Sequence, residues 1–175
     1  MRLRVPRPLV IQIEQAARRQ APRECCGLLI GRVSGRVSDH VSDRITGPGG
    51  GTPAGLPRGI GVLQTGQAAV LTRQVPSPNQ STRPQRRFEI DPQVLASTLA
   101  SVRDGQERVL GVYHSHPRGA ALPSWEDARG AWIGGWLWLI VAPHAPAARR
   151  WGAWLSLAHG RGFAPVAGGP RARAR

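Results

Sequence analysis

The chain reads as an α/β protein, with one central mixed sheet flanked by helices. Three observations predict it. Residues 26–31, 108–114 and 136–142 are short apolar runs bounded by glycine, proline or polar residues, as buried strands are. Other segments show helical spacing of apolar residues and helix-start chemistry. The two kinds are mixed along 175 residues, a length that suits one domain with a real core.

Residues 8–20 are the first predicted helix. Leu9, Ile13, Ala16 and Ala17 share a face, Pro8 suits the first turn, and Pro22 stops the run. A strand follows at 26–31, and weak alternation over 36–45 predicts its partner. Residues 47–61 (GPGGGTPAGLPRGIG) read as a surface loop, because the Gly-Lys-Ser/Thr ending of a phosphate cradle is absent. Another strand is expected within 62–75, a polar connection over 76–87, and a short strand at 88–90. Asp91 and Pro92 form a cap and first helical position for a helix to about residue 103. The strand 108–114 comes next, then a loop, then a helix from Ser124 to about 133. Strands at 136–142 and 150–157 close the fold as an expected hairpin. The tryptophans Trp125, Trp132, Trp136, Trp138, Trp151 and Trp154 are expected in core or sheet-face packing. Residues 1–160 form the expected domain and 161–175 an arginine-rich tail.

The densest chemistry lies in GVYHSHPRGAALPSWED, residues 111–127. His114 and His116 are two apart on an extended segment and project to one face. Asp127 arrives from the next helix. Two imidazoles and one carboxylate make three ligands of a four-coordinate metal, and a fourth position left to water marks a catalytic rather than structural zinc site. Ser124-x-x-Asp127 also resembles a capping box, a role compatible with metal binding. A hydrolase needs a base near the metal. Glu24, at the edge of the 26–31 strand, is the best placed; Glu126 points about 100° away from Asp127 on a helix. Tyr113, Pro117 and Arg118 flank the site and suit packing or loop geometry. His40, His144 and His159 lack ligand spacing and read as surface residues.

Glu24 within PRECCGLLIGR, followed far downstream by H-S-H-P-x6-S-x-x-D, resembles the JAMM signature of the JAB1/MPN/Mov34 metallopeptidase family. RRFEIDP, residues 86–92, is similar to a segment of its stand-alone bacterial members, and the likeness covers roughly residues 8–157. The resemblance implies a JAB/MPN-like sandwich akin to that of cytidine deaminases. It implies one zinc ion on His114, His116 and Asp127 with a water as fourth ligand, Glu24 as acid/base, and Ser124 as support for the oxyanion. It implies cleavage of peptide or isopeptide bonds, with the C-terminus of a ubiquitin-like sulfur-carrier protein as the expected site. The alternative is a non-catalytic MPN-type interaction module; such members have lost ligands, whereas all five positions are filled here. A zinc deaminase would need H-x-E and P-C-x-x-C, and neither is present.

The formal charge is +14, and all 24 basic residues are arginine. These charges are dispersed and accompany no nucleic-acid-reading motif, so a specific nucleic-acid partner is not expected. No apolar run reaches the roughly 20 residues of a bilayer span. Cytoplasmic location is the expectation. The adjacent Cys25 and Cys26 lack metal-site spacing and read as small buried residues.

Overall fold

A computed structural model describes residues 1–34, 56–157, 161–168 and 170. The expected strand at 36–45, most of the 47–61 loop, His40, His159 and the 171–175 end lie outside the described residues.

Seven strands form one mixed sheet: β1 (Arg2–Arg4), β2 (Cys26–Ser34), β3 (Ala68–Ser77), β4 (Arg108–Ser115), β5 (Leu137–Val141), β6 (Trp151–Ser156) and β7 (Phe163–Pro165). Their order is β1-β3-β2-β4-β5-β6-β7. The β1–β3 and β4–β5 pairs are parallel and the others antiparallel. Helix α1 (Arg7–Gln20) lies on one face. Its Leu9, Ile13 and Ala17 pack with Leu29, Leu71, Leu110 and Leu139. Helix α2 (Pro92–Val102) covers the other, where Val94, Leu95 and Leu99 meet Leu28, Ile30, Val109 and Val112. Asp91 caps α2 as expected, accepting from the Gln93 N–H at 2.8 Å. With helices on both faces β5 is buried throughout, which explains its unbroken apolar run.

Several boundaries differ from the sequence reading. β3 runs through Pro76, which is tolerated because β1 reaches only Ala68–Val70 and leaves β3 an edge there. Residues 88–90 form no strand; only a single bridge joins Ile90 to Asn79. Helix α3 (Trp125–Gly130) has six residues and stops short of 133. Its last residue is a poor helix former, and Gly135 at φ 77° then turns the chain, donating to the Ser156 carbonyl at 2.8 Å. β7 carries the sheet past residue 160, into the stretch expected to be tail. Trp138 is buried, but Trp125 and Trp132 are 67% and 78% exposed, contrary to the packing expectation. The expected hairpin of the last long strands is present as β5–β6.

One irregularity controls the site. The β2–β4 register shifts between Leu29, opposite Gly111, and Ile30, opposite Val109, so Leu110 is an extra residue in β4. Beyond this bulge, Val112 lies on the α2 face while Tyr113 packs on the α1 side. Gly111 lies opposite Leu137 in the β4–β5 pair, and a Cβ there would collide with the Leu137 carbonyl. Gly111→Ala is expected to destabilise the fold by about 3 kcal/mol or more, the upper range of overpacking. A urea midpoint within experimental error of wild type would contradict this packing.

Candidate metal centre

β4 delivers the histidines. His114 is its penultimate residue, and His116 follows its end, with its N–H donating to the Val141 carbonyl at 2.9 Å. Alternation therefore continues just past the strand, and both imidazoles turn to one face as expected. Their Nε2 atoms lie 3.0 Å apart. Asp127 Oδ1 is 3.1 Å from His114 Nε2, and Oδ2 is 3.3 Å from His116 Nε2.

Asp127 is positioned by the start of α3. Ser124 Oγ accepts from the Asp127 N–H at 3.1 Å, while Oδ2 accepts from the Ser124 N–H at 2.6 Å and from its hydroxyl at 2.7 Å. This is the reciprocal capping box that the spacing predicted, with Asp in the usual Glu or Gln place. The same bonds pin the carboxylate for ligation. In this geometry the Ser124 hydroxyl proton points to Asp127.

Glu24 reaches the site through the β2–β4 pairing. Cys26 sits opposite His114; Ser115 donates its N–H to the Cys25 carbonyl at 3.0 Å, and its Oγ accepts from the Cys25 N–H at 2.9 Å. Continuing that register two residues sets Glu24 beside His116. Glu24 is 4% exposed. Glu126 pairs instead with Arg83 at 3.6 Å and is not part of the His114, His116 and Asp127 cluster. Cys25 and Cys26 are free, buried thiols pushed up to about 11 and about 12 by burial. Tyr113 packs on the opposite face and donates to Gln74 Oε1 at 2.9 Å, and His144 is exposed.

Burial pushes the Glu24 carboxyl up to about 7, opposed by His116 and assisted by Asp127. Burial holds His114 below the ordinary imidazole range, against the pull of Asp127. For His116, burial is outweighed by Asp127 and the Ala120 carbonyl, and the imidazole moves up. For Asp127, burial is likewise outweighed, here by the two histidines and the Ser124 N–H, and the carboxyl stays ionised far below its ordinary value.

The donor set fits a zinc ion. Tetrahedral zinc with ligands at about 2.0–2.2 Å has donor–donor edges of about 3.3–3.6 Å, and the observed contacts of 3.0–3.3 Å need only slight spreading. His116 Nδ1 contacts the Ala120 carbonyl at 2.8 Å; donating there leaves the Nε2 lone pair for a metal. His114 Nδ1 is buried with no hydrogen-bond partner among the described residues, so the reach of His114 into the cluster is through Nε2 alone.

The family of prokaryotic homologs of the JAB domain matches residues 6–154. The chain belongs to this JAB family. It is 32% identical over 76 residues to a desampylase of Haloferax volcanii, covering 43% of this chain and 55% of that protein. It is 37% identical over 73 residues to a probable TtuB-protein conjugate cleaving protease of Thermus thermophilus, covering 42% and 48%. The chain thus spans about half the length of the curated relatives it matches. A solution structure from Desulfitobacterium hafniense is similar in fold, with TM-score 0.65, 23% identity, and coverage of 94% of this chain and 89% of that one. A Salinibacter ruber protein gives TM-score 0.53 at 22% identity, with the same coverages.

This JAB chain also holds parts that the sequence reading missed. Phe88 stacks on the His114 ring, centroids 4.4 Å apart and planes 19° apart, and Trp138 meets the same ring edge-on. Phe88 falls within the noted RRFEIDP segment, but strand alternation gave no cue to stacking. Ser115, between the two histidines, accepts from the Cys25 N–H through its Oγ. A groove of about 330 Å³ opens from Asp127 between residues 87–90 and α3, lined by Phe88, Ile90, Trp132, Trp136 and Trp138 among others.

The buried acid yields a metal-free test. The folded-state value of Glu24 is raised, so its contribution to stability is fully present below about pH 4.5 and is lost as pH rises through about 7. The loss is on the order of 3 kcal/mol at 1.36 kcal/mol per unit. With chelator present, Glu24→Gln is expected to match wild type near pH 4.5 and to exceed its stability at pH 8, read from urea midpoints. Parallel pH curves for the two proteins would contradict the burial.

Proposed function

We propose that the protein is a zinc metallopeptidase. It hydrolyses the peptide or isopeptide bond that joins the C-terminus of a ubiquitin-like protein to an amine. The convergence of two imidazoles and a carboxylate on one point, with a buried acid beside them, carries this reading. His114, His116 and Asp127 would hold the zinc, which when bound supplies Lewis acidity toward the scissile carbonyl and acidifies water. Glu24 takes a proton from the attacking water and returns it to the departing amine. In the metal-free protein burial lifts its carboxyl above the ordinary carboxylate range, which favours its taking up a proton. Ser124 supports the developing oxyanion, for which its hydroxyl turns from Asp127 toward the substrate.

The printed names of the two curated relatives, a desampylase and a probable TtuB-protein conjugate cleaving protease, support the substrate class. The groove from Asp127 supports an extended tail as the part of the substrate that is read. We take the natural partner to be a small sulfur carrier ending in Gly-Gly, whose adduct with cysteine or a protein amine is cleaved. No helix among the described residues is long and apolar enough to cross a membrane, and we place the reaction in the cytoplasm.

The test uses a fluorogenic amide at the C-terminus of a Gly-Gly-ending ubiquitin-like protein, with metal content measured in parallel. Wild type is expected to carry one zinc per chain and to lose turnover to chelator. Glu24→Gln keeps the zinc and loses about a hundredfold to ten-thousandfold in kcat, the range of general acid–base catalysis. His116→Ala loses zinc and turnover together. Turnover that survives chelation overturns the metal mechanism, and wild-type kcat in Glu24→Gln reassigns the base.

A further inference from the structure

Glu24 precedes β2 and has no ladder partner of its own. Among the described residues no hydrogen-bond donor reaches its carboxyl, so the carboxyl's placement rests on the packing that buries it and on the backbone that carries it. Both backbone polar groups are held by one loop. The Glu24 N–H donates to the Pro84 carbonyl at 2.7 Å, and its carbonyl accepts from Asn79 Nδ2 at 3.0 Å.

Asn79 uses all of its hydrogen-bonding capacity in doing so. Nδ2 also donates to the Arg87 carbonyl at 3.1 Å, and Oδ1 accepts from the Ser81 and Glu89 N–H groups at 3.0 and 3.1 Å. The reverse amide orientation would set N–H against N–H and oxygen against oxygen. The same loop continues to Phe88, stacked on His114, and its Arg83 pairs with Glu126 on α3. Residues 79–88 therefore touch the proposed base, a proposed ligand and the helix that carries another.

We propose that Asn79 is a positioning residue for Glu24: it fixes the loop on itself with its oxygen and fixes Glu24 to the loop with its nitrogen. The inference rests on Glu24 being the base. Small displacements of a catalytic group cost large factors in rate, and nothing else described here anchors the Glu24 carbonyl.

Asn79→Asp separates the two halves of this role, because it keeps both accepted bonds and removes both donated ones. With the fluorogenic substrate above, kcat is expected to fall about tenfold or more, while KM and the zinc dissociation constant stay within about twofold. In a Glu24→Gln background the same substitution is expected to change the residual turnover less than about twofold, since two residues acting as a unit are not additive. Wild-type kcat in a folded Asn79→Asp variant overturns the proposal. So does an undiminished loss in the Glu24→Gln background, which a general loosening of the loop would give. Should Asn79→Asp fail to fold, amide exchange of the wild-type, metal-free protein decides. The Asn79 side-chain amide protons, donated to the Glu24 and Arg87 carbonyls, are expected to be protected, and exchange at the free-amide rate overturns the proposal. Full turnover in Glu24→Gln removes the base reading and this inference with it; loss there with wild-type Asn79→Asp removes this inference alone.

Discussion

The pairing of Cys25 with Ser115 is the constraint on which the site depends. These residues lie 90 apart in the chain, and two hydrogen bonds, one from a backbone N–H to a side-chain oxygen, hold them in register. The pairing is buried, so each bond would leave an unsatisfied polar group if it slipped. From that point β4 runs on to His116 and β2 runs back to Glu24. Acid and imidazole thus face each other as a result of strand register, and the histidines need no flexible loop to bring them together.

The third ligand comes by a different route. Asp127 is local to its own helix start, where Ser124 satisfies its backbone N–H and its carboxylate satisfies that of Ser124. A capping box is formed by residues three apart, so this part of the geometry assembles from local sequence. Two of the three proposed ligands then rest on long-range sheet pairing and one on a helix cap. Phe88 covers one side of His114, and burial on this scale explains why an acid beside the cluster holds its proton to about neutral pH.

What the sequence made legible divides along the same line. The clustering of His114, His116 and Asp127, the cap of α3, the Asp91 cap of α2 and the central strands were readable, because each is written within one short stretch of sequence. The bulge at Leu110 was not, since Val109-Leu110-Gly111-Val112 is apolar on both sides of any register and alternation cannot expose an extra residue. The extent of α3 was missed because its end is decided by a contact between Gly135 and Ser156 on a distant strand. The exposure of Trp125 and Trp132 was missed for a related reason: the helix is so short that Trp125 is its first residue and Trp132 lies beyond its end. Asn79 sat in a polar, proline-broken stretch where only its Asx turn to Ser81 is local.

The extra residue in β4 decides which face of the sheet carries the site. Val109 faces α2, and strict two-residue alternation from it would send 111 and 113 the same way, leaving residue 114 pointed at α1. One supernumerary amino acid transfers the imidazoles from the sealed underside of the sheet to the side that opens outward. Any relative that dispenses with it must spend a compensating insertion or deletion before residue 114, or its chemistry would be entombed.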